Sequence, residues 1–424
     1  GALAADAVEL AAGGDLIAPG SLAAGTLDGR AGGAVTLTGE NRIATIGSLV
    51  AGGALTLRDG QGVTVTGLLQ AGTGLDLAAQ GALVLAGTAR AETGVVAAPA
   101  IAVPGTLAVA QGVSLTATEG DLGGTGRVQA AVLTGQAAGA IALTGPNEVQ
   151  EIAGLRAGSG ITMTNQPSLT IAGPVDGGQG SVGIGNQASI TIAAPVTAAQ
   201  RIAIQSAAGG LVLRDTTIDA PQILLSTPAS QSVLLSGGTI ATGGTTPRGR
   251  VPANSPLLPS NGGQGALVAT GTLRQTGTLT VQGPSGGDPV LQLQAAGNVS
   301  LARVEGVDTW LVLSLRAGRA TATDLAIARL DVMFDGVGGS ANLVGSVGGI
   351  TGAASAQQAY ILPRSDPNYL LNGCAIGSVS CILVQREQVP AQRPLDTVDF
   401  APLRQPGDDA DLMQLLPNVS RRDY

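Results

Sequence analysis

A short motif, apolar–small or polar–apolar, returns along this chain at steps that add up to about 20 residues, and that cycle decides the fold class. Val35-Thr36-Leu37, Leu55-Thr56-Leu57, Val63-Thr64-Val65, Leu75-Asp76-Leu77 and Leu83-Val84-Leu85 carry it early. Ile161-Thr162-Met163, Leu169-Thr170-Ile171, Ile190-Thr191-Ile192, Ile202-Ala203-Ile204 and Leu211-Val212-Leu213 carry it later. Each triplet has the period-2 pattern of a half-buried strand, and Gly, Asn, Asp or Pro separates one from the next. Starts at 55, 63, 75 and 83 alternate steps of 8 and 12. A cycle of about 20 residues with two or three short strands is one coil of a parallel β-helix. The spacing predicts roughly sixteen coils before residue 318, a rod of about 75 Å at the usual inter-strand distance.

A longer repeat lies over the short one. Thr38-Gly39-Glu40-Asn41-Arg42-Ile43 aligns with Thr144-Gly145-Pro146-Asn147-Glu148-Val149 at an offset of 106, without a gap. The same offset pairs Ile46 with Ile152, Leu49 with Leu155, and Ala51-Gly52 with Ala157-Gly158. It then pairs Leu55-Thr56-Leu57 with Ile161-Thr162-Met163 and Val63-Thr64-Val65 with Leu169-Thr170-Ile171. Register kept over about 35 residues means that inward positions persist while surface positions drift, as a solenoid requires.

Composition supports this and narrows the chemistry. The six aromatic residues, Trp310, Phe334, Tyr360, Tyr369, Phe400 and Tyr424, all lie in the last 115 positions. A globular core of 300 residues without a ring would be anomalous, whereas a stack of narrow Leu/Ile/Val layers needs none. The chain has no His, and its 21 basic residues are all Arg. That excludes Ser–His–Asp and Cys–His relays, imidazole-ligated zinc, Schiff-base amines and a phosphate-loop lysine. A net charge of −8 with scattered acids argues against nucleic acid as a partner. No apolar run reaches the ~18 residues of a membrane span. Gly1 is no initiator Met and no basic-then-apolar leader precedes the repeats, so the chain reads as a processed or excised piece.

The repeat is interrupted at 245–265 by Pro247, Pro252, Pro256 and Pro259, which reads as a loop leaving one face of the rod. Triplets resume at Leu279-Thr280-Val281 and continue to 318. Residues 319–384 read as a C-terminal capping region, with 323–334 favouring strands over a short helix. Trp310, Phe334, Tyr360 and Tyr369 are the rings expected to cover the last coil, whose open edge would otherwise template aggregation. Cys374 and Cys381 enclose six residues including Gly377, a spacing that fits a hairpin-closing disulfide in an oxidising compartment, with two buried thiols as the alternative. Residues 385–424, rich in Pro and Asp, read as an extended tail. If ordered, the tail needs a surface, either its own rod or the next molecule, and Phe400, Leu415, Leu416, Val419 and Tyr424 are its candidate assembly contacts.

Catalytic, cofactor and metal sites are not expected. Arg214-Asp215 with Asp219 is the one compact acid–base group on a triplet-rich stretch; Glu119 with Asp121 and Asp331 with Asp335 are the other near neighbours. Cleavage of a glycoside needs two carboxylates converging within roughly 5–10 Å, and no second acid recurs one coil from Asp215. Gly177-Gly178-Gln179-Gly180 lacks the Asp of calcium-binding turns. Thr-x-Thr pairs such as Thr64/Thr66 and Thr116/Thr118 do not fall on successive coils, so β-propensity explains them better than ice binding.

The pattern of Asn41 or Asn147 followed by Ile/Val, Leu, Ala-Gly and an apolar–Thr–apolar triplet resembles the filamentous haemagglutinin-like exoproteins of Gram-negative two-partner secretion. The resemblance spans most of 30–315, and 371–381 with 416–424 look like the C-terminal end of some of these exoproteins. It implies an all-β chain, a right-handed parallel β-helix (β-solenoid) of about 20 residues per coil with a C-terminal capping region and extended tail. It further implies a non-enzymatic structural or adhesive protein at the surface of a Gram-negative bacterium, forming or displaying an appendage. Head-to-tail self-assembly is a separate expectation, with the tail from Gln385 onward bridging to a neighbour. Expected partners are further copies of the chain, a host or neighbouring cell surface and, for a precursor, an outer-membrane transporter. The amino-terminal secretion domain of that family is missing here. An extracellular polysaccharide lyase or hydrolase on the same scaffold is the alternative.

Overall fold

The computed structural model describes residues 1–228, 230–242, 265–283, 289–315, 318–334, 340–347 and 350–356. These residues form strands joined by tight corners, and no helix occurs among them. Successive coils stack in parallel with offsets close to one cycle: Leu3 faces Leu22, Leu55 faces Leu75, and Thr106 faces Arg127. The fold is a parallel β-solenoid of about 15 turns with about 20 residues per turn. Two compact units divide the chain, Gly1–Ile184 and Gly185–Tyr424.

In the first unit the triplets become half-buried strands. Leu37, Leu57, Leu77, Val96 and Leu115 stand in one inward column, each stacked on the equivalent residue of the neighbouring coil and essentially inaccessible to water. Between them Thr36, Thr56, Asp76, Val95 and Ser114 point outward. Fully burying one such Leu or Val stabilises by about 1.5–3 kcal/mol, so the columns set the register of every coil. Corners stack as closely as strands. A Cβ on Gly87 would collide with the Gly67 carbonyl, one on Gly105 with that of Gly87, one on Gly126 with that of Gly105, and one on Gly145 with that of Gly126. Only glycine permits that approach of backbone to backbone, which is one reason the chain carries 66 of them.

The second unit keeps the inward column, here Ile204, Leu225, Val268, Leu293, Leu313 and Val332. Its strands Arg201–Ser206, Gln222–Ser226 and Val290–Ala295 differ in being buried at every position. Parallel stacking runs on past residue 318. The strand Arg319–Phe334 pairs in register with Val299–Leu315, and Ser340–Val347 pairs with Arg319–Phe334. Among the described registers one pairing is antiparallel: Ile350–Ala356 folds back on Ser340–Val347, with Val347 opposite Ile350. The 245–265 loop, from which only Gly265 is described, Cys374 and Cys381, Tyr360 and Tyr369, and the 385–424 tail with Phe400, Leu415, Leu416, Val419 and Tyr424 lie outside the described residues.

Candidate functional site

The two asparagines of the 106-residue repeat are buried, with exposures of 0% for Asn41 and 1% for Asn147, and they are wired alike. Asn41 Oδ1 accepts the Leu22 N–H at 3.1 Å, and its Nδ2 donates to the carbonyls of Leu37 and Arg58 at 3.0 and 2.9 Å. Asn147 Oδ1 accepts the Val128 N–H at 2.9 Å, and its Nδ2 donates to Leu143 and Thr164 at 2.8 and 2.9 Å. Each bond of Asn41 therefore recurs at the same offset, and Asn147 Nδ2 adds one to the Gly145 carbonyl at 3.1 Å. A corner interrupts the ladder between coils, and a carboxamide supplies the acceptor and donor that the three coils meeting there would otherwise lack.

Asn41 pairs in register with Asp59, and Asn147 with Asn165, so the polar column is at least two coils deep in each copy. Asp59 Oδ2 accepts the Ile43 N–H at 2.7 Å and its Oδ1 accepts the Gln61 N–H at 2.8 Å. Asn165 Oδ1 accepts the Val149 N–H at 2.8 Å, while its Nδ2 donates to the carbonyls of Val149 and Pro167 at 2.9 and 3.2 Å. The change from Asp to Asn follows the residue two places on. Gln61 has an N–H to satisfy, whereas Pro167 has only a carbonyl. Burial pushes the Asp59 carboxyl above its ordinary value of 3.8, the two accepted N–H bonds opposing that rise.

Other acids serve the same end. Asp15 Oδ1 accepts the Ala34 N–H at 2.8 Å, and Asp121 Oδ1, again 106 positions on, accepts the Ala140 N–H at 2.7 Å. Asp121 is thus a coil-to-coil bridge, and Glu119 stays exposed beside it. Thr66 and Thr118 donate to the carbonyls of Ile46 and Ala98 one coil away. On the surface, Arg58 forks onto Asp76 at 2.9 and 2.5 Å, Arg127 pairs with Glu148, and Arg303 bridges Glu305 and Asp324 at 3.1 and 2.7 Å.

Among the described residues, the register partners of the acid–base group around Asp215 include no second carboxylate. Asp219 stacks between Thr197 and Ala241, and Arg214 stacks on Ser236. Asp215 occupies the left-handed region at φ 38°, a corner conformation that Asp tolerates, and its N–H donates to the Ser236 carbonyl. For Asp331 the register partner is Val312, and Asp335 lies outside the described residues. No cluster of three or more His, Cys, Asp or Glu side chains suited to a metal occurs among the described residues. Trp310 stands in register between Val290 and Arg329, within the stack, and Phe334 ends its strand opposite Leu315.

One groove of about 700 Å³ opens on the first unit. Its floor follows a single register row, Arg90, Ala108, Gln129 and Glu148, with Gln150 and Gln166 beside it. The register shifts beside this row between Val109 and Gly112, where Ala110 and Gln111 face the single residue Ala131. Its only acid is Glu148, already held by Arg127, and it contains no aromatic ring. Sequence reading missed Asp59, Asn165 and this groove. The two polar residues were accessible to it, since both end the pattern apolar–Thr–apolar–x–polar at the 106 offset. No family model matches the sequence, and neither a curated protein nor a solved structure is matched.

Proposed function

We propose that this is a non-enzymatic extracellular protein of structural or adhesive role, whose β-solenoid forms or displays an appendage on a Gram-negative bacterial surface and self-associates head to tail. One observation carries the reading. In the first unit the side chains of Asn41, Asp59, Asp121, Asn147 and Asn165 all hydrogen-bond to backbone groups, and each makes at least one such bond to a neighbouring coil. A chain that commits its polar residues to stacking is organised for length and rigidity. The filamentous haemagglutinin-like resemblance, with export through an outer-membrane partner, belongs to the same proposal. Negative-stain microscopy of native material tests it, with filaments or surface appendages as the expected result. Isolated monomers that cleave pectin- or alginate-like polysaccharide, with activity lost on Asp215→Asn, would overturn it in favour of the enzyme reading. Removal of 385–424 is expected to abolish head-to-tail association, and unchanged filaments would remove the tail from the mechanism.

A further inference from the structure

The groove on the first unit runs along the stacking direction. Arg90 stacks on Ala108, Ala108 on Gln129 and Gln129 on Glu148, and one coil further the Gln166 N–H donates to the Asn147 carbonyl. Its ends are thus four coil steps apart, about 19 Å. Ala91, Ala110 and Ala131, on three successive coils, give it depth between longer side chains. The strands beneath run across it and pair with one another, so an occupant meets side chains and no free sheet edge. Those side chains are not committed to the stack. Arg90, Gln129, Gln150 and Gln166 are exposed, and among the described residues their side chains make no hydrogen bond or ion pair to the chain. Glu148, the one acid of the groove, is neutralised by Arg127.

We propose that this groove binds a linear β-linked glycan bearing carboxylates, laid along the stacking axis with about one sugar per coil. The proposal rests on the adhesive reading above and gives it a ligand class. Period is the first argument. Each coil advances the groove by about 4.8 Å, close to the advance of one sugar in an extended β-linked glycan, so successive sugars meet equivalent places. An extended peptide, at about 3.3 Å per residue, falls out of step within two coils. Chemistry is the second argument. A carboxamide offers a donor and an acceptor side by side, the pattern that adjacent sugar hydroxyls answer, and Gln129, Gln150 and Gln166 supply three of them. The alanine floor leaves room for the C–H face of a sugar ring. Arg90 at one end pairs with a carboxylate, and the held Glu148 does not repel one. With no aromatic ring in the groove, hydrogen bonds carry the recognition.

Calorimetric titration of the full chain with hyaluronan oligosaccharides of two, four and six sugars tests this, with the N-acetylglucosamine tetramer as the carboxylate-free comparison. Salt of about 0.15 M screens the chain's net charge of −8 beyond about 8 Å. The hyaluronan tetramer is expected to bind about tenfold more tightly than the dimer, and the hexamer to gain no more than about twofold over the tetramer, because the groove is four steps long. Arg90→Ala should weaken the hyaluronan tetramer about fivefold or more and the neutral tetramer less than twofold. The double variant Gln129→Ala with Gln150→Ala should weaken both about fivefold or more. Gln136→Ala, exposed on another row between Thr116 and Arg156, should leave both unchanged. No binding of either tetramer, affinity that climbs steadily with length, or binding indifferent to the groove variants overturns the proposal. The length series uses the unaltered protein, so it decides even where a variant loses its β-sheet circular dichroism. Filaments that bind no glycan would remove the groove and leave the structural rod, whereas monomers that bind the tetramer would keep the groove and remove the assembly.

Discussion

Val95 in the first unit and Leu224 in the second are both outward aliphatics in the middle of a strand, yet one is half exposed and the other inaccessible. The first unit follows the rule of a one-sided sheet, with inward leucines and outward Thr, Ser and Asp. In the second unit the strands Arg201–Ser206, Gln222–Ser226 and Val290–Ala295 obey the rule of a sheet covered on both faces. The same coil geometry thus supports two surface regimes. Inward positions build the stack in both units, whereas the outward row records whether something else packs against it.

The largest expected effect separates the two regimes. Leu224→Asp places a charge in a dry position and should lower the unfolding free energy by about 3 kcal/mol or more. Thr64→Asp, outward on a half-buried strand of the first unit, should change it by no more than about 0.5 kcal/mol. Denaturant titration of the two variants checks this, and equal small losses would erase the distinction between the units. Next comes the carboxamide column. Asn147→Ala leaves the Val128 N–H and the Leu143 and Thr164 carbonyls without their partner, at an expected loss of about 2–4 kcal/mol. Asn41→Ala breaks the three equivalent bonds, without the further Gly145 bond of Asn147, and should match it to within about 1 kcal/mol. A cost at only one of them would show that the 106-residue repeat is a likeness of pattern without a likeness of load.

The period-2 triplets made the coil legible because a residue facing the axis has one environment whatever the surface does. Leu37, Leu57 and Leu77 are recognisable in the sequence and lie where the pattern places them. The parallel continuation across 319–334 was harder to see. Leu325-Ala326-Ile327 and Leu330-Asp331-Val332 carry the triplet pattern there, but the strand is 16 residues long with no Gly or Pro to separate them, so the stretch also fits a short helix. The roles of Asn41 and Asn147 were visible only as recurrence, since spacing does not reveal which backbone groups a corner leaves unpaired. The covered outward row was written in Leu224 and Val312, but an apolar run reads equally as an ordinary strong strand. For Trp310, an aromatic near the end of the repeats suggests a cap, yet coils continue on both sides of it.

A smaller effect tests how the two copies of the repeat diverged. Because burial raises the Asp59 pKa, its protonated form is favoured by folding. The resulting contribution is fully present below the ordinary carboxyl value and is lost as pH rises through the elevated one. Unfolding titrations between pH 3 and 7 should show stability decreasing over that window through this group, and Asp59→Asn should flatten that component. At neutral pH the single variant turns a donor towards the Gln61 N–H, an expected loss of about 1 kcal/mol. Adding Gln61→Pro, which recreates the Asn165–Pro167 arrangement, should recover most of that loss. An additive double variant would mean that Pro167 and Asn165 are not coupled.

The smallest expected effect lies on the surface of the first unit. Arg58 and Asp76 meet through two hydrogen bonds across adjacent coils, but both side chains are 42% exposed. Water and salt screen such a pair, and ordering two long side chains opposes the attraction, so Arg58→Ala should lower stability by about 0.5 kcal/mol or less at moderate ionic strength. The loss should shrink further on raising the salt from about 0.05 to 0.5 M, because the Debye length then falls from about 14 Å to about 4 Å, close to the separation of the pair. A salt-independent loss above about 1 kcal/mol would place the contribution in the packing of the Arg58 methylenes instead. In that case the outward row of the first unit would contribute to the stack by contact, and the contrast with Leu224 would narrow from one of kind to one of degree.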